Sequence, residues 1–167
     1  MLSPFAELSP ASRIWVYQAD RALSQEEQSS ILNASDQFLQ QWAAHGQALL
    51  ASATVKHDHF LIIATDEGFN MASGCSIDSS FRFVQDIGTK FNINFFDRAN
   101  LAFLIEDKVE FVAMTEVKSA IESGKLNGSS LFFDNNLSTK SELDNRWIVK
   151  AEESWLKRYF QTAKSVL

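Results

Sequence analysis

The chain has 167 residues and a mass of 18.8 kDa, close to the usual size of one domain, and its 46% hydrophobic content with 14 Phe and 4 Trp excludes a disordered profile. A net charge of -6 and a pI near 5.0, with 15 scattered Lys and Arg, repel phosphate backbones and anionic bilayers, so neither nucleic acid nor membrane is an expected partner. One Cys rules out an internal disulfide and fits a reducing compartment; the N-terminal stretch has no signal-peptide pattern and the apolar run "FLIIA" is too short to span a bilayer, so residues 1–167 read as one cytoplasmic domain.

In chain order, "RIWVYQA" is β-rich and apolar and predicts the first strand. Ser24 and Glu27 form a capping box that opens a helix, and Ile31, Leu32, Phe38, Leu39 and Trp42 recur at helical spacing until His45-Gly46, a suitable C-cap. "ALLASATVK" and "HFLIIAT" predict a hairpin turning at His57-Asp58. After the loop "DEGFNMASGCSID", Ser76 or Asp78 can cap a helix that turns Phe81, Val84, Ile87 and Phe91 inward. "NLAFLIE" and "VEFVAM" predict a second hairpin around Glu106–Lys108, and "TEVKSAIESG" a short helix ending at Gly124. "LNGSSLFFDNN" is turn-rich. Thr139 and Glu142 offer another capping box, and "KAEESWLKRYF" predicts a last helix stacking Trp155 on Tyr159.

The order predicts an α+β fold: a mainly antiparallel sheet of about five strands backed by two long helices, a ferredoxin-like βαββαβ plait with an extra strand and C-terminal helices. In that plait the first and third strands are central, which suits the continuously apolar "IWVY" and "FLII". Trp15 and Tyr17 alternate with Ile14 and Val16 onto both faces, so the second face needs cover, for which Trp147, Trp155, Tyr159 and Phe160 are the candidates.

Some activities lack their residues. The six glycines, at 46, 68, 74, 88, 124 and 128, form no P-loop, no dinucleotide fingerprint and no nucleophile elbow, and one Cys cannot build a Cys-rich zinc site. No cofactor and no metal is therefore expected. The stretches "GCSIDSS", "FFDRANLAF" and "STKSELDNRWIVKAEESWLKRYF" resemble a family of small uncharacterised bacterial proteins, often labelled "ABC transporter ATPase". That label implies ATP hydrolysis, for which this chain lacks the P-loop, and the resemblance brings no site residues with it.

Cys75 is the first candidate group. Beside a helix N-terminus, aligned N–H groups lower a thiol's pKa, and Gly74, Cys75, Ser76, Asp78 and Ser79 can grip a phosphate, carboxylate or oxyanion. Equally, a free Cys packs as a small hydrophobe, and Ser and Asp at a helix start are simply caps. A Cys nucleophile needs a base, and the plait puts the Cys75 loop at the opposite end of the sheet from His57 and His59, leaving His45 as its partner. The other end collects Asp20, Arg21, His57, His59, Asp97 and Arg98, a polar cluster where two His two apart can join a metal site or merely decorate a hairpin tip.

The resulting expectation is a binding or interaction module that takes a small anionic ligand or a protein partner at the Gly74–Asp78 loop. The alternatives are a cysteine-dependent enzyme or redox protein acting through Cys75, and a metal-assisted hydrolase at His57/His59. The aromatic load is also compatible with a homodimer.

Overall fold

The apolar run "RIWVYQ" forms strand β1 (Arg13–Gln18), and the Ser24–Glu27 capping box opens helix α1 (Gln25–Gln40) as its residues predict. In this computed structural model, which describes residues 1–164 with side chains through residue 160, the chain divides into two units. The first is Met1–Asp97 with Leu137–Glu142; the second is Arg98–Asn136 with the chain from Leu143 onward.

α1 ends at Gln40, earlier than the His45-Gly46 signal suggested. Those two residues, at φ 52° and 78°, instead make the turn between the short strands β2 (Ala43–Ala44) and β3 (Gln47–Ala48). A glycine that permits a left-handed helix cap permits a hairpin turn equally well. Strands β4 (Ala51–Lys56) and β5 (Phe60–Thr65) follow, joined through His57-Asp58 as expected.

β5 is buried along its whole length because it is the centre of a three-stranded antiparallel sheet, order β1-β5-β4. β1 and β5 are neighbours, with Arg13 opposite Thr65 and Gln18 opposite Phe60. Helix α2 (Gly74–Phe91) starts at Ser73, not at Ser76 or Asp78: the Ser73 hydroxyl accepts from the Ser76 amide while the Ser76 hydroxyl accepts from the Ser73 amide. It stops at Asn92, in the left-handed conformation that terminates helices. Val84 and Ile87 face the core as predicted, whereas Phe81 is partly exposed; Phe83 stacks on Phe38 of α1 at 4.5 Å and 8°. Tyr17, Ile31, Leu39, Leu61, Ile63 and Val84 are the centre of this core.

The α+β class and the antiparallel pairing stand, but the plait does not close as expected. Beside β1, at the place of a ferredoxin-like fourth strand, are two single bridges: Arg13 to Thr139 and Gln18 to Phe96. The run "NLAFLI" instead forms β6 (Asn100–Ile105) in the second unit, paired with β7 (Lys108–Ala113) through a tight turn at Glu106-Asp107, both at positive φ. β1 thus lies at a margin of its three-stranded sheet.

The second unit continues with helix α3 (Val117–Glu122) and strand β8 (Leu131–Phe133); helix α4 (Lys140–Arg146) enters from the first unit behind the predicted Thr139–Glu142 box. Strand β9 (Ile148–Lys150) completes a sheet of order β7-β6-β8-β9. The last helix, α5 (Lys157–Lys164), starts later than predicted, because Lys150 ends β9 opposite Leu131 and Ala151–Glu153 form a 3₁₀ turn that Ser154 closes in an extended conformation. Trp155 packs edge-on to Phe132 at 5.9 Å, Trp147 lies 5.2 Å from Phe133, and Tyr159 and Phe160 rest on the unit's own core of Phe103, Leu126 and Leu156. No described helix is long and apolar enough to cross a membrane.

Candidate functional site

The run from Asp66 to Ser73 leaves the end of β5 as an irregular loop, and its backbone is held by side chains. The Asp66 carboxylate accepts the Gly68 amide at 2.9 Å, Glu67 accepts the Ala72 amide at 3.0 Å, and Asn70 donates to the carbonyls of Gln47 and Ala48 at 3.1 and 3.3 Å. Two large apolar side chains on this pinned loop face solvent: Phe69 is 54% and Met71 69% exposed. Cys75 follows in the first turn of α2, a free and exposed thiol.

The serines around it are committed. Ser76 is buried, its hydroxyl donating to the Ser73 carbonyl at 2.8 Å, and Ser79 donates to the Ser76 carbonyl at 2.8 Å. These hydroxyls shape the helix start. Gly74 and Asp78 flank Cys75, and no hydrogen bond joins its thiol to a histidine or carboxylate among the described residues. His45, its expected partner, occupies the β2–β3 turn; that ribbon is tied to the start of α2 by the Trp42 indole, which donates to the Ser76 carbonyl at 2.8 Å.

The His57–His59 turn lies at the other end of β5. Its backbone meets the Asp20–Arg21 turn: the Ala19 amide donates to the His59 carbonyl at 2.8 Å and the Leu23 amide to the Asp58 carbonyl at 2.7 Å. The two turns expected to converge therefore do so. His59 Nδ1 lies 2.7 Å from the His57 carbonyl, so that nitrogen carries the proton and donates. Partial burial lowers the His57 pKa, and the neighbouring Lys56 charge adds to this.

The charges of the expected cluster are spent separately. Arg21 grips Glu27 with both nitrogens, at 2.9 and 2.7 Å, and also donates to the Phe91 carbonyl at 2.9 Å. The guanidinium, together with the Ser24 amide, holds the Glu27 carboxyl down to about 2. Asp20 accepts the Asn94 amide at 3.0 Å. Asp97 closes the first unit's main segment and Arg98 opens the second unit. No three His, Cys, Asp or Glu side chains gather to hold a metal among the described residues.

Two features had no counterpart in the sequence reading. One is the outward display of Phe69 and Met71, for which the only signal was two apolar residues inside a polar loop. The other is a cleft of about 580 Å³ between the second half of α2 and residues 92–96. The wall at 93–95 approaches α2 so closely that a Cβ on Gly88 would sit 2.5 Å from the Ile93 carbonyl oxygen. No protein-family model, curated protein or solved structure matches this chain.

Proposed function

We propose that this protein is an interaction module that docks a partner protein on the loop and helix start running from Phe69 to Asp78. The observation that carries this reading is the exposure of Phe69 and Met71, at 54% and 69%, on a backbone already fixed by Asp66, Glu67 and Asn70. Burying those side chains against a partner gains apolar contact, and a pre-ordered loop loses little entropy on binding. The backbone amides of Gly74 and Cys75, at the positive end of the α2 dipole, suit a carboxylate on the partner at the margin of the apolar contact. An exposed free thiol in this surface fits work in a reducing cytoplasm.

Affinity capture from cells tests the reading. Proteins retained by the wild-type chain and by Leu131→Ser, an exposed apolar control in the second unit, should be lost from the Phe69→Ser/Met71→Ser variant. Retention of the same set by all three contradicts it. Sedimentation of the purified chain separates self-association from a different partner.

A second reading, a cysteine-dependent enzyme or redox protein, draws on the exposed thiol in the first turn of an 18-residue helix. Alkylation rate against pH decides it: half-maximal reactivity below neutral pH favours a catalytic thiolate, and ordinary thiol behaviour removes it.

A further inference from the structure

The cleft on the second half of α2 holds chemistry that the docking loop does not use. It is a broadly open cleft of about 580 Å³, and its walls are the α2 residues Gln85, Gly88 and Thr89 facing Asn94 and Phe96. Asp20 is the one charged residue among those that line it. One of its oxygens accepts the Asn94 amide at 3.0 Å, which fixes the carboxylate and leaves the second oxygen for a ligand.

The neighbouring Arg21 does not cancel that charge. Arg21 is committed to Glu27 and the Phe91 carbonyl, so Asp20, Arg21 and Glu27 together leave one net negative charge. The Tyr17 phenol adds none, since burial pushes its pKa up. Phe96 lines the same cleft as Asp20 and is 40% exposed, its ring held edge-to-face with Tyr17 at 5.6 Å and 71°. The Phe96 amide donates to the Asn94 side-chain oxygen at 2.9 Å, and the Asn94 amide donates to Asp20, so Asn94 links the segment that carries the ring to the turn that carries the carboxylate.

We propose that this cleft binds an organic cation, an alkylammonium or guanidinium group, which pairs with Asp20 and lays its flank on the Phe96 ring. Carboxylates and aromatic faces both attract such cations, and Gln85 and Asn92, which also line the cleft, carry side-chain carbonyls able to accept the remaining N–H donors. The net charge of -6 draws cations toward the molecule at low ionic strength. This site is separate from the docking loop and stands or falls independently of it.

Titration of the ¹⁵N-labelled 167-residue chain with agmatine, which carries both cation types, tests the proposal. The amides of Gln85, Thr89, Asn92 and Asn94 should shift and saturate, while butane-1,4-diol and glutarate leave them unmoved. Asp20→Asn keeps an acceptor for the Asn94 amide but removes the charge, and should weaken agmatine binding about two- to fivefold. Phe96→Leu keeps apolar bulk but removes the ring face, and should weaken it about two- to fivefold. The proposal is overturned if agmatine leaves those amides still, if the diol moves them equally, or if both variants bind agmatine as the wild type does.

Discussion

Trp42 donates its indole N–H to the main-chain carbonyl of Ser76 at 2.8 Å, tying the ribbon after α1 to the first turn of α2. Both residues are buried, so the bond is shielded from water. The Ser76 carbonyl also accepts from the Ser79 hydroxyl and keeps one partner when the indole is lost. Trp42→Phe should therefore cost about 1 kcal/mol, and Trp42→Ala, which also empties core volume, about 3–5 kcal/mol. Urea denaturation of both variants measures the difference; a Trp42→Phe variant as stable as the wild type would mean that the indole bond contributes nothing beyond packing, and equal costs that the ring volume contributes nothing beyond the bond.

The Arg21–Glu27 pair sets an acid dependence. The Glu27 carboxyl falls from an ordinary 4.5 to about 2, with the Arg21 guanidinium the largest cause and the Ser24 amide next. A carboxyl depressed in the folded state contributes fully above its unfolded pKa and loses that contribution as pH falls toward the folded one. The stability from this pair should be constant above about pH 4.5 and decline from there to about pH 2. Glu27→Gln should flatten that part of the denaturation-midpoint profile while lowering stability at neutral pH.

Gly88 is the contact point between α2 and the wall of the cleft. In an exposed helix, Gly→Ala is stabilising by about 1 kcal/mol. Here the added carbon meets the Ile93 carbonyl oxygen at 2.5 Å, an overlap with backbone that side-chain motion cannot relieve. Gly88→Ala should be net destabilising, by about 1–2 kcal/mol, and should shift the amide resonances of residues 92–96. A variant more stable than the wild type would contradict the placement of that segment.

Lys140 is only 9% exposed, and its ammonium donates to the carbonyls of Ala6 and Leu8 at 3.2 and 3.0 Å. It fastens the segment around Phe5, whose ring lies 5.9 Å from the charge, to the start of α4. Lys140→Met keeps the stem volume but leaves both carbonyls short of a donor, and should cost about 1–3 kcal/mol. Hydrogen exchange should speed up most in residues 5–12.

What the sequence reveals about this fold depends on how local each signal is. The capping boxes at Ser24–Glu27 and Thr139–Glu142 are read correctly because each is closed by residues three apart. The "FLIIAT" run is read as a buried strand because burial on both faces leaves no polar alternation. The sheet partner of "NLAFLI" is not legible: strand propensity says nothing about whether Phe103 pairs with Glu110 and Phe132 or lies beside Trp15. The start of α2 is misplaced for a related reason. Ser73, Ser76 and Asp78 are all good caps, and the choice of Ser73 reflects its reciprocal bond with Ser76. At the site, the pairing of the 57–59 turn with residues 19–23 follows from strand order, whereas the exposure of Phe69 and Met71 depends on the finished surface.

The proposed docking surface includes the chain's single cysteine, which gives direct access to it. A benzophenone attached to Cys75 and irradiated in an extract of the producing cell should form a discrete protein adduct. That adduct should disappear when Phe69 and Met71 are changed to Ser and persist in Leu131→Ser. An adduct pattern indifferent to Phe69 and Met71, or no adduct under any condition, would contradict a partner seated on this loop.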